Sequence, residues 1–414
     1  MLNYLFKKIA LILNLDLKHV LSGFSWLSLT QGIGVISSLA VTYFFANTLS
    51  EADYGTYRYV LGLGVLLASF SLTGISQTVL QATARGFKNF LVETTKITII
   101  YGLVTAGISF GAAGYYFYMQ NTLLAWGCLL IAVTYPVTQL FSNIVAYQNG
   151  LEEFRKTSIL QIFRSVLVSA GSLLALLFTQ NVLVLLVVFF SFQTLVALLS
   201  LFIFFPKKTT ATPTEFFYKN LSFAKHTSFR NWFLILASKL DSVLIFQNLG
   251  SIELAAYSIA NLVPDQVKAL FKQVQSVLVP KYSKHESLST LKKFIFLRSV
   301  QLLTILVIVT IISVALVPSL ITFVFPAYTN VTFYAQLLLL SVPTVITVIP
   351  VSALNVLHKE RELYFYQVST SLIQIGILVT LLFMYGLIGA ILAKVVAQYI
   401  RLFIAYALVI QAKD

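Results

Sequence analysis

The stretch Leu387–Gln411, LIGAILAKVVAQYIRLFIAYALVIQ, is almost wholly apolar. At 1.5 Å per residue, a helix of this length crosses the roughly 30 Å hydrocarbon core of a bilayer. Two cations interrupt it. Lys394, Gln398 and Arg401 are spaced i, i+4, i+7, so all three fall on one helix face. A charge at the bilayer centre costs about 2.5–3.5 kcal/mol even on lenient insertion scales. The face that carries these residues must therefore look onto something other than lipid.

The rest of the chain repeats the pattern. Of 414 residues, 58% are hydrophobic and only 10% charged, against roughly 25% charged in a soluble domain. The apolar material falls into twelve runs, at about 25–47, 58–80, 96–118, 122–146, 158–179, 182–205, 228–249, 254–279, 295–317, 333–357, 364–385 and 387–411. Each is long enough to span a membrane as a helix. No connection is long enough for a soluble catalytic domain. The expected fold class is an all-α integral membrane protein of twelve transmembrane helices in two six-helix lobes.

The formal net charge of +14 finds its explanation in topology rather than in nucleic acid. Lys7, Lys8 and Lys18 precede the first run. Arg85, Lys88 and Lys96 follow the second, Arg155 and Lys156 the fourth, and Lys207, Lys208, Lys219 and Lys225 the sixth. Lys281, Lys284, Lys292 and Lys293 follow the eighth, and Lys359 and Arg361 the tenth. The alternate connections, such as Gln120-Asn121 and Gln180-Asn181, are nearly bare, with Arg58 the one basic residue near any of them. Basic loops stay cytoplasmic, which puts both termini inside. Residues 2–20 read either as an amphipathic helix on the inner surface or as a tail. The single cysteine, Cys128, reads as packing.

Pro206–Phe223 is the longest polar break. It divides the chain into an N-terminal lobe (1–205), a cytoplasmic linker (206–225) and a C-terminal lobe (226–414). Leu49, Tyr57, Ser76 and Val79 recur 200 residues on as Leu249, Tyr257, Ser276 and Val279. An even number of spans per half makes this a parallel repeat, an arrangement that places substrate near the midplane. Gly107 and Gly111 form a GxxxG, with Gly114 following, and read as helix-packing positions.

Charges at depth give the candidate site. Lys239, Lys268, Lys272, Lys394 and Arg401 lie inside runs, accompanied by only two carboxylates, Asp241 and Asp265. Arg58 adds a sixth cation. The natural guest of such an interior is an anion, and a phosphate-bearing one suits it: lysine binds phosphate as a point charge and arginine as a fork. Asp265, Lys268 and Lys272 share a helix face by their i, i+3, i+7 spacing, whereas Lys239 and Asp241, two apart, do not. The alternative is internal pairing of Lys268 with Asp265 and Lys239 with Asp241, or snorkelling of cations to the interface. Asp241 and Asp265 are the candidates for ion coupling. Gln31, Tyr257, Gln398 and Tyr399 are candidate sugar contacts, and the polar first run, with Ser28, Thr30, Gln31 and Ser38, is expected to face a cavity. Pro264 is placed to bend its helix beside Asp265. Neither a metal site nor a cofactor is expected.

Four segments stand out: Leu49-Ser-Glu-Ala-Asp-Tyr-Gly-Thr-Tyr57, Gln148-Asn-Gly-Leu-Glu-Glu-Phe-Arg-Lys156, Lys239-Leu-Asp-Ser-Val-Leu-Ile-Phe-Gln-Asn-Leu-Gly250 and Tyr385-Gly-Leu-Ile-Gly-Ala-Ile-Leu-Ala393. In their order and spacing they resemble the polysaccharide flippases (Wzx-type, O-antigen transporters) of the multidrug/oligosaccharidyl-lipid/polysaccharide (MOP) superfamily. The resemblance implies two six-helix lobes around a cationic cavity. It implies a polyprenyl-pyrophosphate-linked oligosaccharide as the guest, carried to the outer face of the bacterial inner membrane. Implied partners are this lipid-linked substrate, membrane lipids, a polysaccharide polymerase and glycosyltransferases, with the protein itself a monomer. Three rivals remain at this stage, of which a major-facilitator sugar transporter calls for a basic signature between the second and third runs that Ala82-Thr-Ala-Arg-Gly-Phe-Lys88 matches poorly. A drug or organic-cation antiporter of the same superfamily calls for acidic residues in the early spans, which the sequence lacks. A polytopic polysaccharide polymerase calls for a large outer loop, and every outer connection is short.

Overall fold

The computed structural model describes residues 17–206, 212–272, 288–357 and 359–411. Among these, every regular element is a helix. In chain order they are α1 (Leu17–Thr48), α2 (Glu51–Ala68), α3 (Ile75–Ala84), α4 (Phe90–Tyr118), α5 (Thr122–Gly150), α6 (Phe154–Phe178), α7 (Val182–Phe204), α8 (Thr214–Leu249), α9 (Ser251–Lys272), α10 (Leu288–Val324), α11 (Thr332–Leu339), α12 (Val348–Val356) and α13 (Glu360–Gln411). Short 3-10 segments, Pro326–Val331 and Val342–Thr347, flank α11. Residues 2–16 of the expected surface helix lie outside the described residues, as do Lys207, Lys208, Lys281 and Lys284.

Nine helical stretches among the described residues are long and apolar enough to cross a membrane. Their outward faces carry large apolar side chains: Phe202 is 95% exposed, Phe323 89% and Phe178 87%. Contiguous apolar surface of this kind is at rest in lipid and costly in water. The chain is a multi-pass membrane protein.

Helix α13 has 52 residues, about 78 Å if straight, far more than a bilayer core needs. It breaks at Gly386, with φ 60° and ψ −136°, a conformation open essentially to glycine. A Cβ on Gly389 would lie 1.8 Å from the Leu381 carbonyl oxygen, so the two arms fold back on each other there. The eleventh and twelfth apolar runs are thus separate helices. Helices α2 and α9 fall outside the nine. They carry charge: Arg58 lies on α2, and Asp265 and Lys268 on α9.

The residues form two compact units, one of residues up to Phe44 with Leu67–Ser228, the other of Phe45–Leu66 with residues from Phe229 onward. In the first, Ile75, Val79, Phe90, Leu91, Ile144 and Val196 are buried together. Phe87 and Phe90 take the rings of Phe216 and Phe217 at 4.1 and 5.7 Å between centroids. Glu93 accepts a hydrogen bond from the Thr212 amide at 3.0 Å. The polar break is therefore tied down beside α4 on both sides of its centre. Gly102, not Gly107 or Gly111, is where α4 meets a neighbour: its Cβ would lie 2.9 Å from Pro136, while Gly107, Gly111 and Gly114 face open space. The GxxxG reading is corrected accordingly. The spacing puts those glycines on one face, but among the described residues nothing lies within 4 Å of a Cβ placed on any of them.

In the second unit, α2 lies hard against the start of α9. A Cβ on Gly55 would fall 1.8 Å from the Ser251 carbonyl oxygen, so only glycine allows this approach. Tyr59 stacks on Phe246 at 3.9 Å and accepts a hydrogen bond from Gln247 at 2.9 Å. These contacts fix α2, and with it Arg58, beside α8.

Candidate functional site

A cavity of about 540 Å³ lies within the second unit, lined by residues of α2, α8, α9, the 3-10 segment Val342–Thr347, α12 and α13. Arg58, Lys239, Lys268, Lys394 and Arg401 all contribute to its wall, as do Asp241 and Asp265. Five basic side chains against two acidic ones leave a formal excess of three positive charges. Tyr257 and Gln398 line it too. Lys272 ends α9, and its side chain lies outside the described residues.

The carboxylates are not paired as the sequence alternative had it. Asp241 meets Lys394 from α13 at 3.8 Å, and among the described residues Lys239 has no salt-bridge or hydrogen-bond partner. Asp265 likewise has no ion pair among the described residues. Lys239 and Asp241 do share this wall despite their spacing, because Ser238, Lys239, Asp241 and Ser242 all line the cavity, which wraps around more than one face of α8.

Asp241 is 4% exposed, and both of its carboxylate oxygens accept hydrogen bonds. The Tyr257 hydroxyl donates to Oδ2 at 2.5 Å, and the Ser242 amide donates to Oδ1 at 2.7 Å. Lys394 Nζ donates to Asn261 Oδ1 at 2.5 Å and stands 5.2 Å from the centre of the Tyr257 ring. A buried carboxylate needs such partners, since an unpaired one costs several kcal/mol.

A second group gathers along α13. Lys268 Nζ donates to Ser341 Oγ at 2.6 Å and to Gln398 Oε1 at 2.9 Å, and Thr344 donates to the same Gln398 oxygen at 3.1 Å. Arg401, one turn beyond Gln398, keeps Nε and Nη2 buried without a hydrogen-bond partner among the described residues. Pro264, inside α9, separates Asn261 in the first group from Asp265 and Lys268.

Two sugar-contact candidates lie elsewhere. Tyr399 directs its hydroxyl to the Leu340 carbonyl at 2.8 Å, as its position about 100° around the helix from Gln398 dictates. Gln31 is exposed on α1 in the first unit. Other polar groups of α1 are satisfied within the helix: Thr30 and Ser38 donate to the carbonyls of Trp26 and Val35.

Asn261, Thr344, Tyr366 and Gln374, which are not among the candidates read from the sequence, also line the wall. Tyr366 and Gln374 stand two turns apart on one face of α13, a spacing legible in the sequence. Arg164 in the first unit was not a candidate either; its Nη2 donates to Gln193 at 2.9 Å and its guanidinium lies 4.5 Å from the Phe141 ring centre. Its charge is held by an amide and an aromatic face rather than by a carboxylate.

Comparison with known proteins agrees with this architecture. The lipid II flippase MurJ, in an inward closed conformation, is similar over 91% of this chain and 86% of its own, with a TM-score of 0.72 at 14% identity. A multidrug resistance MATE family transporter of the MOP superfamily, inward-facing, matches over 93% and 96%, with a TM-score of 0.67 at 13% identity. A MOP superfamily transporter from Pyrococcus furiosus Vc1, described as having a binding pocket of reverse polarity, matches over 94% and 96%, with a TM-score of 0.63 at 12% identity. No curated protein sequence matches the chain. The family described as polysaccharide biosynthesis protein matches residues 20–286. The fold is shared with these proteins, and with the family match covering well over half of the sequence, the chain belongs to the polysaccharide biosynthesis protein family.

Proposed function

We propose that this protein is a flippase that carries polyprenyl-pyrophosphate-linked oligosaccharide repeat units from the cytoplasmic to the outer face of a bacterial inner membrane, by exposing the cationic cavity to each side in turn. The observation that carries this reading is the sign of the cavity: three formal positive charges in excess, in a chain with only 10% charged residues. An anion must offset that charge, and a diphosphate supplies it while its lipid tail stays among the acyl chains. Sugar would be met by the polar wall, including Tyr257, Gln398 and Asn261. The remaining expectations stand with this reading: twelve spans in two groups of six, both termini cytoplasmic, a monomeric carrier, and a polymerase and glycosyltransferases acting beside it.

The cation-antiporter alternative calls for a cavity of the opposite sign. Asp241, which it would need, is already engaged by Lys394. Coupling to an ion gradient would run through Asp265, the carboxylate that faces the cavity without an ion pair among the described residues. The test is transport of a fluorescent lipid-linked oligosaccharide in proteoliposomes. Lys239→Ala and Arg401→Ala are expected to abolish it while insertion into the membrane survives. Full transport by both at normal expression would remove the assignment.

A further inference from the structure

The charged groups of the cavity are not one cluster. Their contacts sort them into two levels along α13. The first holds Lys394, Asp241, Tyr257 and Asn261, joined by contacts of 2.5–3.8 Å. The second holds Lys268 and Gln398, joined at 2.9 Å, with Arg401 on the next turn. Lys394 and Arg401 are seven residues apart, about 10 Å along the helix axis, beyond the reach of a single phosphate group's hydrogen bonds.

The two levels differ in counter-charge. Lys394 already has an internal anion, Asp241, at 3.8 Å. Arg401 has none among the described residues, and its Nε and Nη2, which together form one edge of the guanidinium fork, are without hydrogen-bond partners there. Those two atoms are buried, the guanidinium as a whole lines the cavity, and a guanidinium is the side chain that can take two oxygens of a phosphate. Lys268 lies on the same level and adds a second cation.

We propose that the cavity contains two anion subsites of unequal affinity. The Arg401–Lys268 level is the docking subsite for a diphosphate. The Lys394 level is a weak subsite, kept weak because Asp241 competes with the guest for Lys394. Asp241 thus acts as a built-in substitute anion: a guest that leaves Arg401 gains Lys394 only by displacing a carboxylate, so it is not trapped there. A carrier needs this inequality, since a uniformly cationic cavity would hold a diphosphate too tightly to release it. This inference rests on the diphosphate reading above and adds to it the division of labour between the levels.

The test is binding of inorganic pyrophosphate to the full-length protein in nanodiscs, followed calorimetrically. Arg401→Gln is expected to weaken binding about tenfold or more, the worth of a lost charge-assisted fork. Arg401→Lys is expected to recover part of the loss. Asp241→Asn, which preserves shape, is expected to do the opposite, tightening pyrophosphate binding severalfold or adding a second event, and the added Lys394→Gln change is expected to erase that gain. Pyrophosphate binding lost at Arg401→Gln but unchanged by Asp241→Asn would overturn the two-level scheme and leave the diphosphate reading intact. Binding unchanged in Arg401→Gln would overturn the docking assignment. No pyrophosphate binding by the unaltered protein would overturn the diphosphate reading and the scheme with it.

Discussion

Replacing Lys394 with methionine removes the cation of the Asp241 pair while keeping most of the side-chain volume. The pair is separated by 3.8 Å. At an effective dielectric of about 20 the direct attraction is about 4 kcal/mol. That is not the net worth of the pair, because both groups lost hydration to form it. The single substitution leaves Asp241, 4% exposed, without its ion-pair partner, and breaking a buried pair in this way costs about 3–5 kcal/mol. Tyr257 and Ser242 still donate to the carboxylate, so the lower end, about 3 kcal/mol, is expected. Asp241→Asn with Lys394→Met removes both charges and lets the tyrosine donate to the new amide oxygen, so most of the loss should return. The measurement is a double-mutant cycle on denaturant unfolding of the detergent-solubilised protein, with a coupling of about 2 kcal/mol expected. Single losses that simply add in the double variant would refute the pairing and remove the basis for treating Asp241 as an internal anion.

Two further outcomes are expected. Gly386→Ala places a Cβ on a residue at φ 60° and ψ −136°, where the strain is about 1–3 kcal/mol; a lower thermal midpoint in detergent, at unaltered monodispersity, is the measurement, and an unchanged midpoint would argue against the sharp reversal within α13. In a background with Cys128 replaced, single cysteines at Asn121, Asn181 and Asn330 are expected to react with an impermeant maleimide added from outside intact cells; protection of all three would overturn the proposed orientation.

Membrane class, helix content and the identity of the buried cations were legible in the sequence because lipid imposes a one-dimensional rule. Any run of about 20 apolar residues must be a helix, and any charge within it must face something polar. Lys239, Lys268, Lys394 and Arg401 were read that way and line one cavity, joined by Arg58 from the start of its run; the fifth, Lys272, has its side chain outside the described residues. Which charge faces which was not legible. The spacing suggested Lys239 or Lys268 as carboxylate partners, yet the structure gives Asp241 to Lys394, 153 positions away along the chain. Nor could helical spacing show that Tyr399 points to the Leu340 carbonyl, that Gly102 rather than Gly107 meets Pro136, or that Gly55 binds α2 to the start of α9. Burial of a residue type is decided by its own transfer energy, which the sequence states. Pairing is decided by short-range distances between helices remote in the chain, and only tertiary packing sets those.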